Sequence, residues 1–154
     1  MSIARRETEI SVRIDHEPYK PSATTVIARY PDIEVFTMRS YCNRDGVVLL
    51  LVTTNAVKTS YVLKAAGFQC EAGPVVLVGP LNRTGWAAPL GIELANAGIE
   101  VFYSYTSHKE RGQHYLVFKT SDDDHAIQIL TTGSAFQLLA GNDSPRDQEM
   151  AITE

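Results

Sequence analysis

The residues best suited to binding chemistry form one short turn, which reads Leu81, Asn82, Arg83, Thr84, Gly85 and Trp86. The turn joins an apolar run at residues 75–78 to a helical pattern that ends at Gly98. The first N–H groups of a helix have no internal partners, and the helix dipole there favours anions. The turn is therefore predicted to bind a small ligand through its carboxylate. The alternative is an ordinary strand-to-helix turn whose glycine serves only the backbone conformation.

Individual positions of this turn have distinct predicted roles. Gly85 lets a carboxylate approach the backbone because it has no Cβ. Asn82 can orient an amine or a hydroxyl group, and Arg83 can add positive charge. Trp86, the only tryptophan of the chain, either covers the pocket or packs at the start of the helix.

Two tyrosines, Tyr103 and Tyr105, alternate along a predicted strand and are expected to share one face with Ile99 and Val101. They can line a ligand pocket or a dimer interface. A strand packed against helices would also favour aromatic residues at these positions.

The sequence lacks the residue patterns of catalytic, metal-binding and RNA-binding sites. We find no nucleophile motif, phosphate-binding loop or paired carboxylates, so we predict no catalytic residue and no enzymatic activity. The histidines at positions 108, 114 and 125 have no recognised ligand spacing, so neither a metal nor another cofactor is expected. Residues 111–118 partly imitate an RNA-binding strand, but Gln113 and His114 break the pattern.

Composition narrows the class of protein. The 154 residues carry a net charge of −4, so nucleic acid and anionic membranes are not expected partners. No apolar run approaches the roughly 20 residues of a membrane helix, and no secretion signal is recognisable. Cys42 and Cys70 are expected to be reduced thiols of a cytoplasmic protein.

A repeated tetrapeptide indicates an internal duplication. The sequence Ile-Glu-Val-Phe occurs at positions 33–36 and again at 99–102, so the copies are offset by 99 − 33 = 66. Applied without gaps, this offset superimposes residues 50–52 on 116–118 and pairs Gly46 with Gly112, Thr54 with Thr120, and Gly67 with Gly133.

Each copy has the predicted element order β-α-β-β-α-β. We therefore expect an α+β protein of two ferredoxin-like modules in tandem, at residues 8–74 and 74–140, each an antiparallel sheet with helices on one face. The last strand is placed at residues 135–139. Residues 1–7 are expected to be a flexible N-terminus and residues 141–154 a flexible tail.

The second copy resembles the ACT domain, a small-molecule regulatory module of amino-acid metabolism. In that family a turn Asp-Arg-Pro-Gly-x-Leu joins the first strand to the first helix. Here residues 82–87 occupy the corresponding positions and read Asn-Arg-Thr-Gly-Trp-Ala. The segment 94–99 is also similar to the family's helix end. The likeness spans residues 8–140 and is closest to stand-alone tandem ACT proteins.

The resemblance implies that an amino acid binds beside the turn, often where two modules or subunits meet, so a homodimer is expected. Asn82 and Thr84 depart from the family's acid and proline. In the first copy the matching residues are His16, Glu17, Pro18 and Tyr19, which lack the glycine, so that module is expected to be structural or to read another ligand.

These observations predict a non-catalytic sensor of an amino acid or a related metabolite. Two alternatives remain open at this point. One is a small enzyme of ferredoxin-like fold, and the other is a protein-interaction module that has lost ligand binding.

Overall fold

The structure, a computed structural model, describes residues 3–15, 19–81, 85–108 and 112–132 of the chain. It confirms the α+β class. The elements in chain order are β1 Ala4–Ile14, α1 Ala23–Ala28, β2 Val35–Asn43, β3 Gly46–Thr53, α2 Ala56–Ala65, β4 Gln69–Leu81, α3 Ala87–Asn96, β5 Val101–His108, β6 His114–Thr120 and α4 Asp123–Thr132. No helix in these ranges is long and apolar enough to cross a membrane.

The strands form a sheet in the order β2-β3-β1-β4-β6-β5. Its hairpins β2–β3 and β5–β6 are antiparallel, as are the pairs β1–β3 and β4–β6. The chain divides into two compact units, one of residues 8–73 and one that combines residues 1–7 with 74–154. β1 and β4 each cross the boundary between the two units.

The unit of residues 8–73 has its apolar core between the sheet and the helices α1 and α2. Ile10 and Val12 of β1 alternate inward and lie opposite Leu51 and Leu49 of β3. Both helices begin with a polar cap, because the Ser22 side chain accepts from Thr25 N and the Asn55 side chain accepts from Lys58 N. Residues of both helices that enter this core are Ala23, Val26, Ile27, Val62 and Leu63.

The unit that contains residues 74–132 repeats this arrangement with α3 and α4. Val76 and Val78 of β4 lie opposite Phe118 and Leu116 of β6. These four side chains pack in one apolar core, and the helices contribute Leu90, Leu94, Ala126 and Leu130. The same alternation of inward and outward side chains therefore supports each half of the repeat.

Matching hydrogen bonds relate the two copies. In the first, Thr54 N donates to Glu34 O over 2.9 Å and Glu34 N donates to Thr54 Oγ1 over 3.0 Å. In the second, Ser121 N donates to Glu100 O over 2.9 Å and Glu100 N donates to Ser121 Oγ over 3.0 Å. Glu34 and Glu100 keep the offset of the tetrapeptide, but Ser121 lies one position further along the chain than the partner that this offset gives Thr54.

The gapless alignment is therefore wrong beyond the hairpin. The pair Cys42 and Val47 corresponds to the pair His108 and His114, so the second hairpin has one additional residue. From there Thr53 matches Thr120. A one-residue shift exchanges the faces of a strand, and the gapless register would have matched Leu50, outside the helix-side core, with Leu116, inside it.

The N-terminus also differs from the expectation that residues 1–7 are flexible. Residues 4–7 begin β1, Ala4 is only 1% exposed, and Gly79 N donates to Ile3 O over 2.8 Å. This segment lies beside β4, on the side away from β6, where the ferredoxin-like order places a fourth strand. The strand predicted at 135–139 and the tail at 141–154 lie outside the described residues.

Candidate functional site

The structure describes three of the six residues in the predicted ligand turn. Leu81 is the last residue of β4, and Gly85 and Trp86 directly precede α3. Leu81 and Trp86 are each 1% exposed and belong to the same apolar core. Asn82, Arg83 and Thr84 lie outside the described residues. The described part of the turn is thus anchored at both ends by buried side chains.

The start of α3 has no polar side-chain cap. Trp86 occupies the N-cap position and makes no side-chain capping bond, and the first turn of α3 contains no acidic residue. By contrast, α4 has Asp123 and Asp124 in its first turn, and Asp122 Oδ1 accepts from His125 N over 3.1 Å. Within the described residues, the positive end of the α3 dipole therefore has no anionic or capping group.

Trp86, the residue that precedes α3, carries a buried donor without a partner among the described residues. Among the described side chains, the Trp86 indole Nε1 is buried and has no hydrogen-bond partner. Leaving such a group unpaired costs about 1–3 kcal/mol, and unpaired buried donors are rare in folded proteins. The helix start and the indole therefore each leave a hydrogen-bond donor without a partner among the described residues.

The backbone at Gly85 has a conformation that favours glycine. Gly85 has a φ of 98°, in the region that side chains disfavour. Tyr19, at the matching position of the first copy, has a φ of 70°, so a positive φ occurs at this position in both copies with different residues. The Tyr19 side chain is fully exposed. His16, Glu17 and Pro18 lie outside the described residues.

The tyrosine pair lies on another face of the sheet. A register shift between Val101 and Tyr103 leaves Val101 against the helix-side core, while Tyr103 and Tyr105 lie opposite Lys119 and Val117. The predicted common face of Val101 with the two tyrosines is therefore wrong. The two rings stack 6.4 Å apart, and Tyr105 is buried. They do not adjoin Trp86, which packs on the helix side.

The aromatic residues of the RNA-like segment are not accessible. Tyr115 is 5% exposed and Phe118 is 1% exposed, so neither ring can stack on a base. In the part of the chain that is described, no group of three potential metal-ligating side chains occurs.

The sequence does not predict that the start of α3 lacks a side-chain cap, or that the indole lacks a partner, among the described residues. One signal was available, because residue 86 is none of the serine, threonine, aspartate or asparagine residues that usually cap a helix. The unpaired state of the indole depends on three-dimensional packing, which no sequence pattern describes.

No protein-family model matches the chain, and no curated protein matches it. Several solved structures do match the chain. Protein BT0572 from Bacteroides thetaiotaomicron is 21% identical with a TM-score of 0.66, and the match covers 84% of this chain and 90% of that one. The regulatory subunit of aspartate kinase from Thermus thermophilus, in its ligand-free form, is 12% identical with a TM-score of 0.53, covering 85% and 96%.

A structure of aspartokinase alpha and beta subunits is also similar, at 17% identity and a TM-score of 0.52, covering 83% of this chain and 94% of that one. Aspartate kinase regulatory subunits are ACT-domain proteins, so these matches support an ACT-like fold. At such identities the likeness concerns the fold alone.

Proposed function

We propose that this chain is a non-catalytic regulatory protein of the ACT family that binds an amino acid or a related small metabolite at the start of α3. The observation that carries the proposal is the buried Trp86 indole N–H without a described partner, beside a helix start without a polar cap. A carboxylate supplies acceptor atoms and negative charge together. The likeness to aspartate kinase regulatory subunits favours the same class of ligand.

In the proposed complex, two groups of the protein bind different parts of the ligand. The carboxylate accepts from the first N–H groups of α3, next to Gly85, and a further acceptor atom of the ligand pairs with Trp86 Nε1. Asn82 offers a neutral acceptor to an α-amino group. The bound ligand then acts by stabilising one of two conformations, in proportion to its difference in affinity for them.

Thermal unfolding with a panel of the common amino acids tests this function. A ligand that binds only the folded protein stabilises it by about 2.7 kcal/mol at 100 times its dissociation constant. We expect one amino acid to raise the unfolding midpoint of the wild type. Trp86→Phe keeps an aromatic ring in the core but removes the N–H, and it should reduce that shift. Gly85→Asp should abolish it.

The matched control is Tyr61→Phe, because Tyr61 is an exposed aromatic residue of α2. It should leave the ligand-dependent shift unchanged. Gly85→Asp also strains the backbone at its positive φ, so each variant is compared with and without ligand. The proposal fails if no amino acid shifts the midpoint at millimolar concentration, or if Trp86→Phe and Gly85→Asp retain the full shift.

We also propose that the protein is a homodimer. β2 and β5 stand at the two ends of the strand order that the described residues form, and proteins generally cover such terminal strands. Sedimentation velocity across a range of protein concentrations measures this directly. A monomer at every concentration, with and without the amino acid, contradicts the proposal.

A further inference from the structure

A polar concavity lies wholly within the unit of residues 8–73. It has a volume of about 610 Å³ and is lined in part by Arg13, Tyr41, Val48, Lys64 and Glu71. Pockets of 300–1,000 Å³ are typical of small-ligand sites. The first copy of the repeat lacks the glycine turn, so this groove offers it a different means of binding.

Strand register fixes the floor of the groove. Arg13 of β1 and Tyr41 of β2 are both direct neighbours of Val48 on β3, so the three side chains form one row across the sheet. Their sequence neighbours Val12 and Leu49 enter the helix-side core. The row therefore lies on the opposite face of the sheet from that core, and with strands about 4.8 Å apart it is about 10 Å wide. The groove extends beyond this face, because its lining also includes Phe68 of the core and Lys64 of α2.

The remaining wall comes from the start of β4 and the last turn of α2. Glu71 belongs to β4, which follows β1 in the strand order, and Lys64 lies in the last turn of α2. Cys70 and Phe68 complete this side. The groove thus combines two cations, one carboxylate and the partly exposed ring of Tyr41.

The charged groups in the groove form no ion pairs with other described residues. Among the described residues, no ion pair or side-chain hydrogen bond is made by Arg13, Lys64 or Glu71. Elsewhere in the same unit, charged side chains do pair, as Lys58 does with Asp32 and Lys20 with Asp15. Three charges that line one concavity and have no described ion-pair partner can engage a ligand of complementary charge.

We propose that this groove binds a small zwitterion with two acid groups and one ammonium group, the chemical class of the acidic amino acids. Arg13 pairs with one carboxylate in the two-point geometry that guanidinium groups favour. Lys64 attracts the other carboxylate, and Glu71 accepts from the ammonium group. Tyr41 packs on the aliphatic part of the ligand. This site is separate from the proposed site at α3 and does not depend on it.

Isothermal titration calorimetry of the full chain tests the groove with three matched probes. L-glutamate has all three charges, L-glutamine lacks the side-chain charge, and glutarate lacks the ammonium group. We expect L-glutamate to bind at least about tenfold more tightly than either analogue, since tenfold corresponds to about 1.4 kcal/mol.

Variants assign the contacts. Arg13→Gln should weaken L-glutamate and glutarate alike by tenfold or more. Glu71→Gln should remove the preference for L-glutamate over glutarate. Arg39→Gln is the control, because Arg39 is exposed on the same face of β2 one row away, opposite Leu50. It should leave all three affinities unchanged.

Trp86→Phe separates this site from the one at α3, since binding in the groove should persist in that variant. The proposal is overturned if none of the three probes binds. It is also overturned if L-glutamate binding survives Arg13→Gln and Glu71→Gln unchanged, or if Trp86→Phe abolishes it.

Discussion

At the level of single residues, Tyr19 and Gly85 hold the same left-handed backbone with opposite consequences. Tyr19 has a φ of 70° and a fully exposed side chain, so it bears the conformational cost without packing in return. For residues other than glycine, that conformation costs roughly 1–2 kcal/mol. The first copy has a positive φ at this position without the glycine that suits it.

Replacing Tyr19 by glycine should therefore stabilise the protein. We expect Tyr19→Gly to raise the free energy of unfolding by about 0.5–1 kcal/mol, because the relief of strain exceeds the entropy that glycine adds to the unfolded chain. Urea denaturation measures the change. Tyr61→Gly, at an exposed position inside α2, should instead lower it by about 1 kcal/mol. A loss of stability in Tyr19→Gly would show that the tyrosine contributes something other than strain.

The two thiols should differ in reactivity. Burial raises the pKa of the Cys70 thiol above its ordinary value, with Lys64 opposing the shift, whereas Cys42 is exposed. A raised pKa means less thiolate at a given pH and slower reaction. In a Cys42→Ser variant, the rate at which 5,5′-dithiobis(2-nitrobenzoate) labels Cys70 should still climb above pH ~8.5. A rate that levels off below that pH contradicts the shift.

The sequence predicts a turn between a strand and a helix at residues 81–86, and the structure has β4 end at Leu81 and α3 begin after Trp86. The positive φ of Gly85 explains why glycine suits this position, and ligand binding there stays a prediction. Val101 and Tyr103 were assigned to one face because strict alternation was assumed, and a register shift separates them. Such irregularities depend on the partner strand, so an isolated strand pattern cannot reveal them.

At the level of elements, a matching pair of hydrogen bonds, here called the clamp, joins the residue before each hairpin to the residue after it. The backbone of Glu34 exchanges two hydrogen bonds with Thr54, and that of Glu100 exchanges two with Ser121. Both hydroxyl-bearing residues stand just after a strand and just before a helix. The clamp was not read from the sequence because its two members use different hydroxyl residues and different offsets.

Removing the hydroxyl of Thr54 or of Ser121 should lower the free energy of unfolding by a similar amount. We expect Thr54→Val and Ser121→Ala each to lower the free energy of unfolding by about 1 kcal/mol, the usual net value of a hydrogen bond. Because the two clamps share no residue, the effects should add in the double variant. Ser104→Ala, at an exposed position of β5, is the control and should change stability little. A double variant no less stable than either single variant would contradict independent clamps.

At the level of the whole molecule, a boundary at residue 74 does not separate the two copies, because it falls inside β4 and the second unit also includes the start of the chain. The unit that contains β4, β5 and β6 also includes the first residues of the chain, through β1. Tandem repetition predicted two consecutive modules, and the contribution of residues 3–7 to the second was not foreseen. It could not be, because a pairing between distant strands leaves no local pattern.

Deleting residues 1–7 should weaken the second unit selectively. The deletion removes Ala4 from its core and leaves Gly79 N without its acceptor, the carbonyl of Ile3. Hydrogen exchange should then accelerate in residues 75–81, and exchange in β2 and β3 should change less. Unaltered protection of residues 75–81 would show that this strand does not need its neighbour.

The pairing of Ile3 with Gly79 also has a consequence in time. During synthesis the chain grows by about 5–20 residues per second, so roughly 4–15 s pass between the two residues. Until then, the first residues of β1 have no β4 beside them and present a bare backbone edge to the cell. A ribosome that pauses within the first module prolongs that exposure, so the rate of translation sets how long the nascent chain is open to wrong strand pairing.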